Sequence, residues 1–281
     1  MQEFQQTPDR RSRRISGPPG QIRRTREKVR DKMGNTRMTA TIVIPCYNEA
    51  NRLPVPAFQE FMRNSPDIRF LFVNDGSRDA TLEVLRKLCA GSTAHTVLDL
   101  PANGGKAEAV RAGMLAAIAQ HQAGIVGFWD ADLATPLSAI HDLLAIMEQR
   151  AELQFIFGAR VKLLGRDIRR RPMRHYLGRI FATAASLVLR LPIYDTQCGA
   201  KLFRVTPELG QILADRFRAT WVFDVELIAR YLRLPTVRRD TVESLIYEFP
   251  LYAWEDVAGS KLRPKDFLRA ILDLYRIYRE G

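Results

Sequence analysis

The segment Gly124-Ile125-Val126-Gly127-Phe128-Trp129-Asp130-Ala131-Asp132-Leu133 decides how this chain is read. Gly124 to Trp129 is an apolar run with the length and composition of a fully buried strand. Two carboxylates follow it at once, at i and i+2. On extended backbone that spacing points both side chains to one face. In an open parallel sheet, ligands sit at the carboxyl ends of the strands. Two acids on one face at a buried strand end are costly unless a cation or strong donors hold them. A hard divalent cation, Mg²⁺ or Mn²⁺, suits them. It takes a few carboxylate oxygens and completes its shell with diphosphate oxygens and water. The alternative is a strand-end turn in which Asp132 caps a helix starting near Pro136.

Outward from this segment, the chain alternates strands and helices. Thr39 to Pro45, Ile68 to Val73, His95 to Leu100 and Leu153 to Gly158 read as further short strands. Between them, helices are expected from Asp79 to Leu88, Ala107 to His121 and Pro136 to Arg150, the last with apolar residues at 140, 143, 144 and 147. The alternation implies an α/β fold, a Rossmann-like, mostly parallel sheet with helices on both faces.

Candidate ligand residues fall at the strand ends. Tyr47 and Glu49, after the first strand, suit stacking on a base and holding a ribose. Asp75, after the second, can accept from a nucleobase or ribose donor, or cap the next helix. Asn103-Gly104-Gly105-Lys106 offers bare amides at a helix N-terminus and one cation, suited to phosphate. The chain has neither Walker P-loop spacing nor a Gly-x-Gly-x-x-Gly after the first strand. P-loop nucleotide hydrolysis and dinucleotide chemistry are therefore unsupported.

The second half is basic. Arg160, Lys162, Arg166, Arg169, Arg170, Arg171, Arg174 and Arg179 crowd a segment whose one acid is Asp167. Arg170 and Arg174 share a face if the following helix begins early enough, and an anion between them would relieve their repulsion. A solvated basic face is the alternative. An apolar helix is expected from Ile180 to Ile193. Asp224 and Glu226 lie in an otherwise apolar helix start, and one or the other is expected as a structural partner for the nearby arginines. From Asp266 to Tyr278 the chain is amphipathic, with Phe267, Ile271, Leu274 and Tyr278 on one stripe, packed on the domain or laid on a bilayer surface.

The net charge is +12, and residues 1–37 hold eleven basic and four acidic residues. That balance calls for an anionic partner. Residues 1–38 are poor in aliphatics and read as a disordered basic arm. Nucleic acid ranks last among the anions, because the basic stretches lack interleaved aromatics for stacking. Three cysteines without paired spacing fit a reducing cytoplasmic compartment.

Together, Ile44-Pro45-Cys46-Tyr47-Asn48-Glu49, Asn74-Asp75-Gly76-Ser77-Arg78-Asp79-Ala80-Thr81, Asn103-Gly104-Gly105-Lys106 and Asp130-Ala131-Asp132 resemble the family 2 glycosyltransferases of the GT-A fold. Arg170-x-x-x-Arg174, Asp195-Thr196-Gln197-Cys198-Gly199, Lys201-Leu202-Phe203, Trp221-x-Phe223-Asp224-Val225-Glu226-Leu227 and Gly259-Ser260-Lys261-Leu262 resemble the dolichyl-phosphate β-glucosyltransferase branch, close to the polyprenyl-phosphate mannosyltransferases. The resemblance covers residues 39–265 as a glycosyltransferase domain and leaves 266–281 as a C-terminal amphipathic helix.

It implies inverting transfer of a hexose, glucose favoured over mannose, from a nucleotide-diphosphate sugar (UDP-glucose or GDP-mannose) to a polyprenyl phosphate. It implies that Pro45, Tyr47, Glu49, Asp75, Lys106 and Asp130 bind the nucleotide sugar, and that Asp130 and Asp132 hold Mg²⁺ or Mn²⁺. Arg160, Arg170, Arg174, Ser260 and Lys261 would meet phosphate groups of donor or acceptor. Asp132 and Asp195 are the catalytic candidates, Asp195 as any assisting carboxylate. Asn74 departs from the commoner Asp-Asp-Gly-Ser pattern. The eukaryotic glucosyl enzymes of this branch carry an N-terminal membrane helix that residues 1–38 do not match. The expectation is peripheral attachment to the cytoplasmic face of a membrane, or a membrane partner subunit. The rival readings are a catalytically inactive protein of this fold that binds a nucleotide sugar or a membrane, and a nucleic-acid-binding protein.

Overall fold

The computed structural model describes residues 39–121, 124–169, 172–257 and 264–279. The expected basic arm, Arg170, Ser260 and Lys261 lie outside them.

Strands β1 (Ala40–Cys46), β2 (Ile68–Asp75), β3 (His95–Leu100), β4 (Ile125–Trp129), β5 (Phe155–Ala159), β7 (Ala200–Arg204) and β8 (Ile246–Pro250) form one sheet, in the order β3-β2-β1-β4-β7-β5-β8. The pairs β1–β2, β1–β4, β2–β3 and β5–β8 are parallel. β7 alone runs antiparallel, between β4 and β5. β6 (Asp167–Arg169) and β9 (Ala253–Glu255) make a small parallel pair. The sheet is the one implied by the alternation, with a reversed strand inserted beside the decisive segment.

Alternate residues serve the two faces. Ile42, Ile44, Phe70 and Phe72 share a buried cluster with Phe58 of α1 (Val55–Asn64), Leu85 of α2 (Thr81–Cys89) and Leu143 of α4 (Ala139–Gln149). Val43, Leu71 and Val73 share the other with Val110 of α3 (Lys106–His121), Ala185 of α5 (Pro172–Leu189), Leu209 of α6 (Pro207–Ala214) and Ile228 of α7 (Phe223–Arg233). A Cβ on Gly113 would lie 2.4 Å from Val43 Cγ1 and 2.8 Å from Val73 Cγ2, so glycine lets α3 sit close on the sheet. The short α8 (Val242–Leu245) leads into β8, and α9 (Pro264–Arg279) packs against α5 and α7.

Three expectations are corrected. α4 starts at Ala139, after turn bonds from Ala139 N to Pro136 O and from Ile140 N to Leu137 O, rather than at Pro136. The apolar helix expected over 180–193 runs from Pro172 to Leu189, and Arg190 with φ of 52° turns the chain out of it ahead of Pro192. On α9 the buried residues are Ala270, Asp273, Leu274 and Ile277, while Ile271, Leu272, Tyr275 and Tyr278 are exposed. Two apolar stripes exist on that helix, and periodicity cannot choose between them. The side chain of Phe267 lies outside the described residues. No helix among the described residues is long and apolar enough to cross a membrane.

Candidate functional site

A cleft of about 250 Å³ opens at the carboxyl ends of β1, β2 and β4. Pro45, Tyr47, Glu49, Asp75, Lys106, Asp130 and Asp132 all line it, together with Arg52. Residues scattered over nearly ninety positions of sequence thus meet because their strands are neighbours in the sheet.

The first loop is held from below. Asn48 takes φ of 54°, its N–H donates to Ser77 Oγ at 3.1 Å, and its Oδ1 accepts from Arg78 N at 2.9 Å. Glu49 N donates to Thr81 Oγ1 at 2.8 Å. The motif after β2 therefore fixes the backbone after β1, which presents Tyr47 and Glu49 to the cleft. Asn74 also finds its reason here. Its Nδ2 donates to Asp99 Oδ1 at 2.7 Å, and an acid in its place would face another carboxylate.

Asp75 is 2 % exposed, and its carboxylate is already engaged. It accepts from Gly104 N at 2.7 Å, Gly105 N at 2.9 Å and Asn103 Nδ2 at 2.9 Å. It caps neither the helix that follows it nor an open edge. It clamps the Asn103–Gly105 loop and the start of α3 against β2. Any ligand contact it makes is shared with that role.

Asp130 and Asp132 do not sit on extended backbone. β4 ends at Trp129, and Leu133 N donates to Asp130 O at 3.2 Å, so the acids share a face through a turn. Asp132 Oδ1 accepts from Ala134 N at 3.1 Å, which makes it a turn former rather than the cap of a helix near Pro136. Burial first, and then the Asp130 charge, raise the Asp132 pKa above the ordinary carboxylate value. Lys106 Nζ lies 2.5 Å from Asp130 Oδ1. Burial opposes its charge, but Asp130, Asp224 and Asp132 outweigh that and raise its pKa. The expected phosphate-binding lysine is thus paired with a carboxylate that faces the same cleft.

The donor set fits a hard divalent ion carried with a substrate. Among the described residues no group of three His, Cys, Asp or Glu side chains is placed to hold a metal. Asp130 and Asp132 offer two carboxylates, the second destabilised as an anion by burial and by the first. Diphosphate and water would complete such a shell.

Behind the acids lies a second layer that spacing did not reveal. Lys201, 1 % exposed in the middle of β7, is 2.8 Å from Asp224 Oδ1 and donates to the Cys198 carbonyl. Of the two acids offered as arginine partners, Asp224 meets this lysine instead. Glu226 does meet an arginine, accepting from Arg230 Nε at 3.0 Å. The discoverable signal was a lysine inside the apolar run Ala200-Lys201-Leu202-Phe203, which a buried strand tolerates only with a partner.

Arg160 and Asp195 are bound to each other. Arg160 Nε and Nη2 donate to the two Asp195 oxygens at 2.6 and 2.7 Å, and Arg160 N adds a bond of 3.0 Å. The Asp195 charge and its hydrogen bonds outweigh burial and raise the Arg160 pKa. Glu248 accepts from Tyr194 N and Asp195 N, both at 2.7 Å, which holds the loop. An assisting carboxylate would need an oxygen directed at substrate, whereas Asp195 directs both at Arg160. Arg174 lies on α5, and its side chain is outside the described residues.

Gly199 joins the layers. Its carbonyl accepts from Asp130 N at 2.9 Å, and a Cβ there would fall 1.9 Å from Asp130 Oδ2. Gly199→Ala is expected to displace the Asp130 carboxylate. Overpacking costs of about 1–3 kcal/mol apply. Activity should fall more steeply than melting temperature, and unchanged activity in the folded variant would refute this role.

Residues 41–208 match the model of glycosyl transferase family 2. A dolichyl-phosphate beta-glucosyltransferase of Drosophila melanogaster is 30 % identical over 263 residues, covering 85 % of this chain and 74 % of its own. That of Homo sapiens is 30 % identical over 241 residues, covering 80 % and 69 %. Among solved structures, glucosyl-3-phosphoglycerate synthase of Mycobacterium tuberculosis in complex with Mn²⁺, UDP and phosphoglyceric acid is 16 % identical with a TM-score of 0.56, over 86 % of this chain and 78 % of that one. TarS of S. aureus in complex with UDP is 16 % identical with a TM-score of 0.52, and this chain spans 65 % of its length. At such identity the structures speak for the fold alone.

Proposed function

Because the chain belongs to glycosyl transferase family 2, we propose that it moves a hexose, glucose in the first instance, from a nucleotide-diphosphate sugar to a dolichyl-type polyprenyl phosphate with inversion. The observation that carries the reading is the convergence of Pro45, Tyr47, Glu49, Lys106, Asp130 and Asp132 on one cleft. The names of the curated relatives supply the acceptor and the sugar.

Tyr47 and Glu49 face the nucleoside, and the amide-rich start of α3 with Lys106 faces the diphosphate. Asp130 and Asp132 would hold Mg²⁺ or Mn²⁺, which when bound neutralises charge on the departing diphosphate. Lys106, paired with Asp130, would be free to turn to the diphosphate if that carboxylate held an ion. The acceptor phosphate is already an anionic nucleophile, so no base has to remove a proton. The engagement of Asp195 by Arg160 supports this economy. Catalysis then rests on positioning and on preorganised positive charge. The positive charge of residues 1–37 and the exposed apolar residues of α9 support a peripheral place on a membrane surface.

Purified protein in detergent, given radiolabelled UDP-glucose or GDP-mannose, is expected to label a short polyprenyl phosphate from UDP-glucose and to leave the uncharged prenol unlabelled. Equal labelling of both acceptors would remove phosphate recognition. Labelling from GDP-mannose alone would change the sugar.

A further inference from the structure

A second cleft, of about 320 Å³, lies where α5, α7 and α9 end together. Arg190, Arg233, Arg239 and Arg279 line it, and among the described residues no carboxylate does. Its remaining wall is apolar, including Val188, Leu232 and Ile277. It is remote from the donor cleft. Asp224, at the start of α7, pairs with Lys201 behind the acids, and Arg233 lies nine residues further along that helix, about 14 Å on its axis.

Part of this positive charge has a local purpose. Three helix C-termini point here, each carrying roughly −0.5 of an elementary charge. Arg239 Nη1 donates to Leu189 O at 2.9 Å, and Arg233 Nη2 donates to Ile277 O. Among the described residues, four guanidinium groups nevertheless exceed the roughly −1.5 that three helix ends present. Among the described residues, the side chains of Arg190 and Arg279 make no hydrogen bond or ion pair. They are exposed guanidinium forks at the mouth of a concave site that Arg233, Arg239 and apolar side chains complete.

The rim is apolar as well. Leu187, next to the cleft on α5, is 72 % exposed, and Tyr278, which lines it, is 55 % exposed. Ile180 of α5, and Ile271, Leu272 and Tyr275 of α9, which packs against α5, are exposed as well. A planar fork recognises phosphate oxygens bidentately, and an apolar rim with tyrosines suits the adjoining acyl and glycerol region.

We propose that this cleft binds the phosphate headgroup of an anionic lipid, with the exposed faces of α5 and α9 lying in the bilayer interface. The site is distinct from the donor cleft and stands whether or not the acceptor is a polyprenyl phosphate. It docks the enzyme at the end of α5 far from the chemistry and lays the length of that helix along the membrane.

The test uses the full chain and the double variant Arg190→Gln/Arg279→Gln. Both residues are exposed and bonded to nothing described, so melting temperature and UDP binding should match wild type. Those readouts separate failure of this proposal from failure of the transferase reading. Titration with soluble dihexanoyl phosphatidic acid, and sedimentation with phosphatidylcholine vesicles with and without phosphatidic acid, are expected to show roughly tenfold weaker binding by the variant. Inorganic phosphate at equal concentration should not compete. Competition by phosphate, lost in the variant, would assign the site to free phosphate instead of a lipid. Equal binding of lipid by wild type and variant would overturn the proposal.

Discussion

Asp132→Asn is expected to abolish Mn²⁺-dependent binding of UDP while leaving the fold intact. The substitution keeps size and keeps an oxygen, so the 3.1 Å bond from Ala134 N that forms the turn survives. What is lost is an ionised oxygen beside Asp130, and hard cations prefer such ligands. Metal neutralisation of a leaving diphosphate is worth several kcal/mol, so transfer should drop roughly a hundredfold or more. Calorimetry with UDP and Mn²⁺ on both proteins checks the binding, and melting temperature checks the fold. Equal affinities would exclude Asp132 as a ligand. They would also leave the Lys106–Asp130 pair as the main local charge near the diphosphate.

The second large effect concerns stability. Lys201→Met is expected to lower stability by about 3–5 kcal/mol, because it removes one partner of a buried pair and leaves the Asp224 carboxylate with only the weaker influence of Lys106. For a domain of this size that is roughly a 10 °C fall in melting temperature. Methionine roughly preserves the volume between the rings of Phe128 and Phe157, which lie 5.2 and 5.5 Å from Nζ, so charge rather than a cavity is tested. Burial raises the Asp224 pKa, and Lys201 is the first influence opposing it. Without the lysine the folded state favours the protonated acid further. The deficit should therefore shrink as pH falls from 8 towards 5, since protonation removes the unpaired charge. The double variant Lys201→Met/Asp224→Leu should recover much of the loss. A deficit that grows at acid pH, or no deficit at all, would refute the account.

Periodicity and strand-end chemistry were enough to reach the parallel sheet and the cleft. Short β-branched runs, helices of 3.6-residue period between them and acids placed after strands are local features, and a parallel sheet must bring those strand ends to one side. The family motifs added the order of four such ends. Hence all six expected nucleotide-sugar residues line one cleft. The insertion of β7 between β4 and β5 was less visible, because a strand of five residues carries no local mark of its direction or of the strands it will pair with.

Sequence alone determined which residues carry charge and which strands they follow. Only the tertiary structure decided which of those charges are already spent. Asp75 meets the amides of Gly104 and Gly105, Asp195 meets Arg160, and Asp224 meets Lys201, across separations of 29, 30, 35 and 23 residues that no local period encodes. A carboxylate's availability depends on the donors packed around it, and those donors come from other strands and loops. The same holds for the arginine-lined cleft, whose members are spread from Arg190 to Arg279 and meet because three helices end at one place. Charge is written residue by residue, but the field that a ligand meets is the sum over neighbours in space, and folding chooses the neighbours.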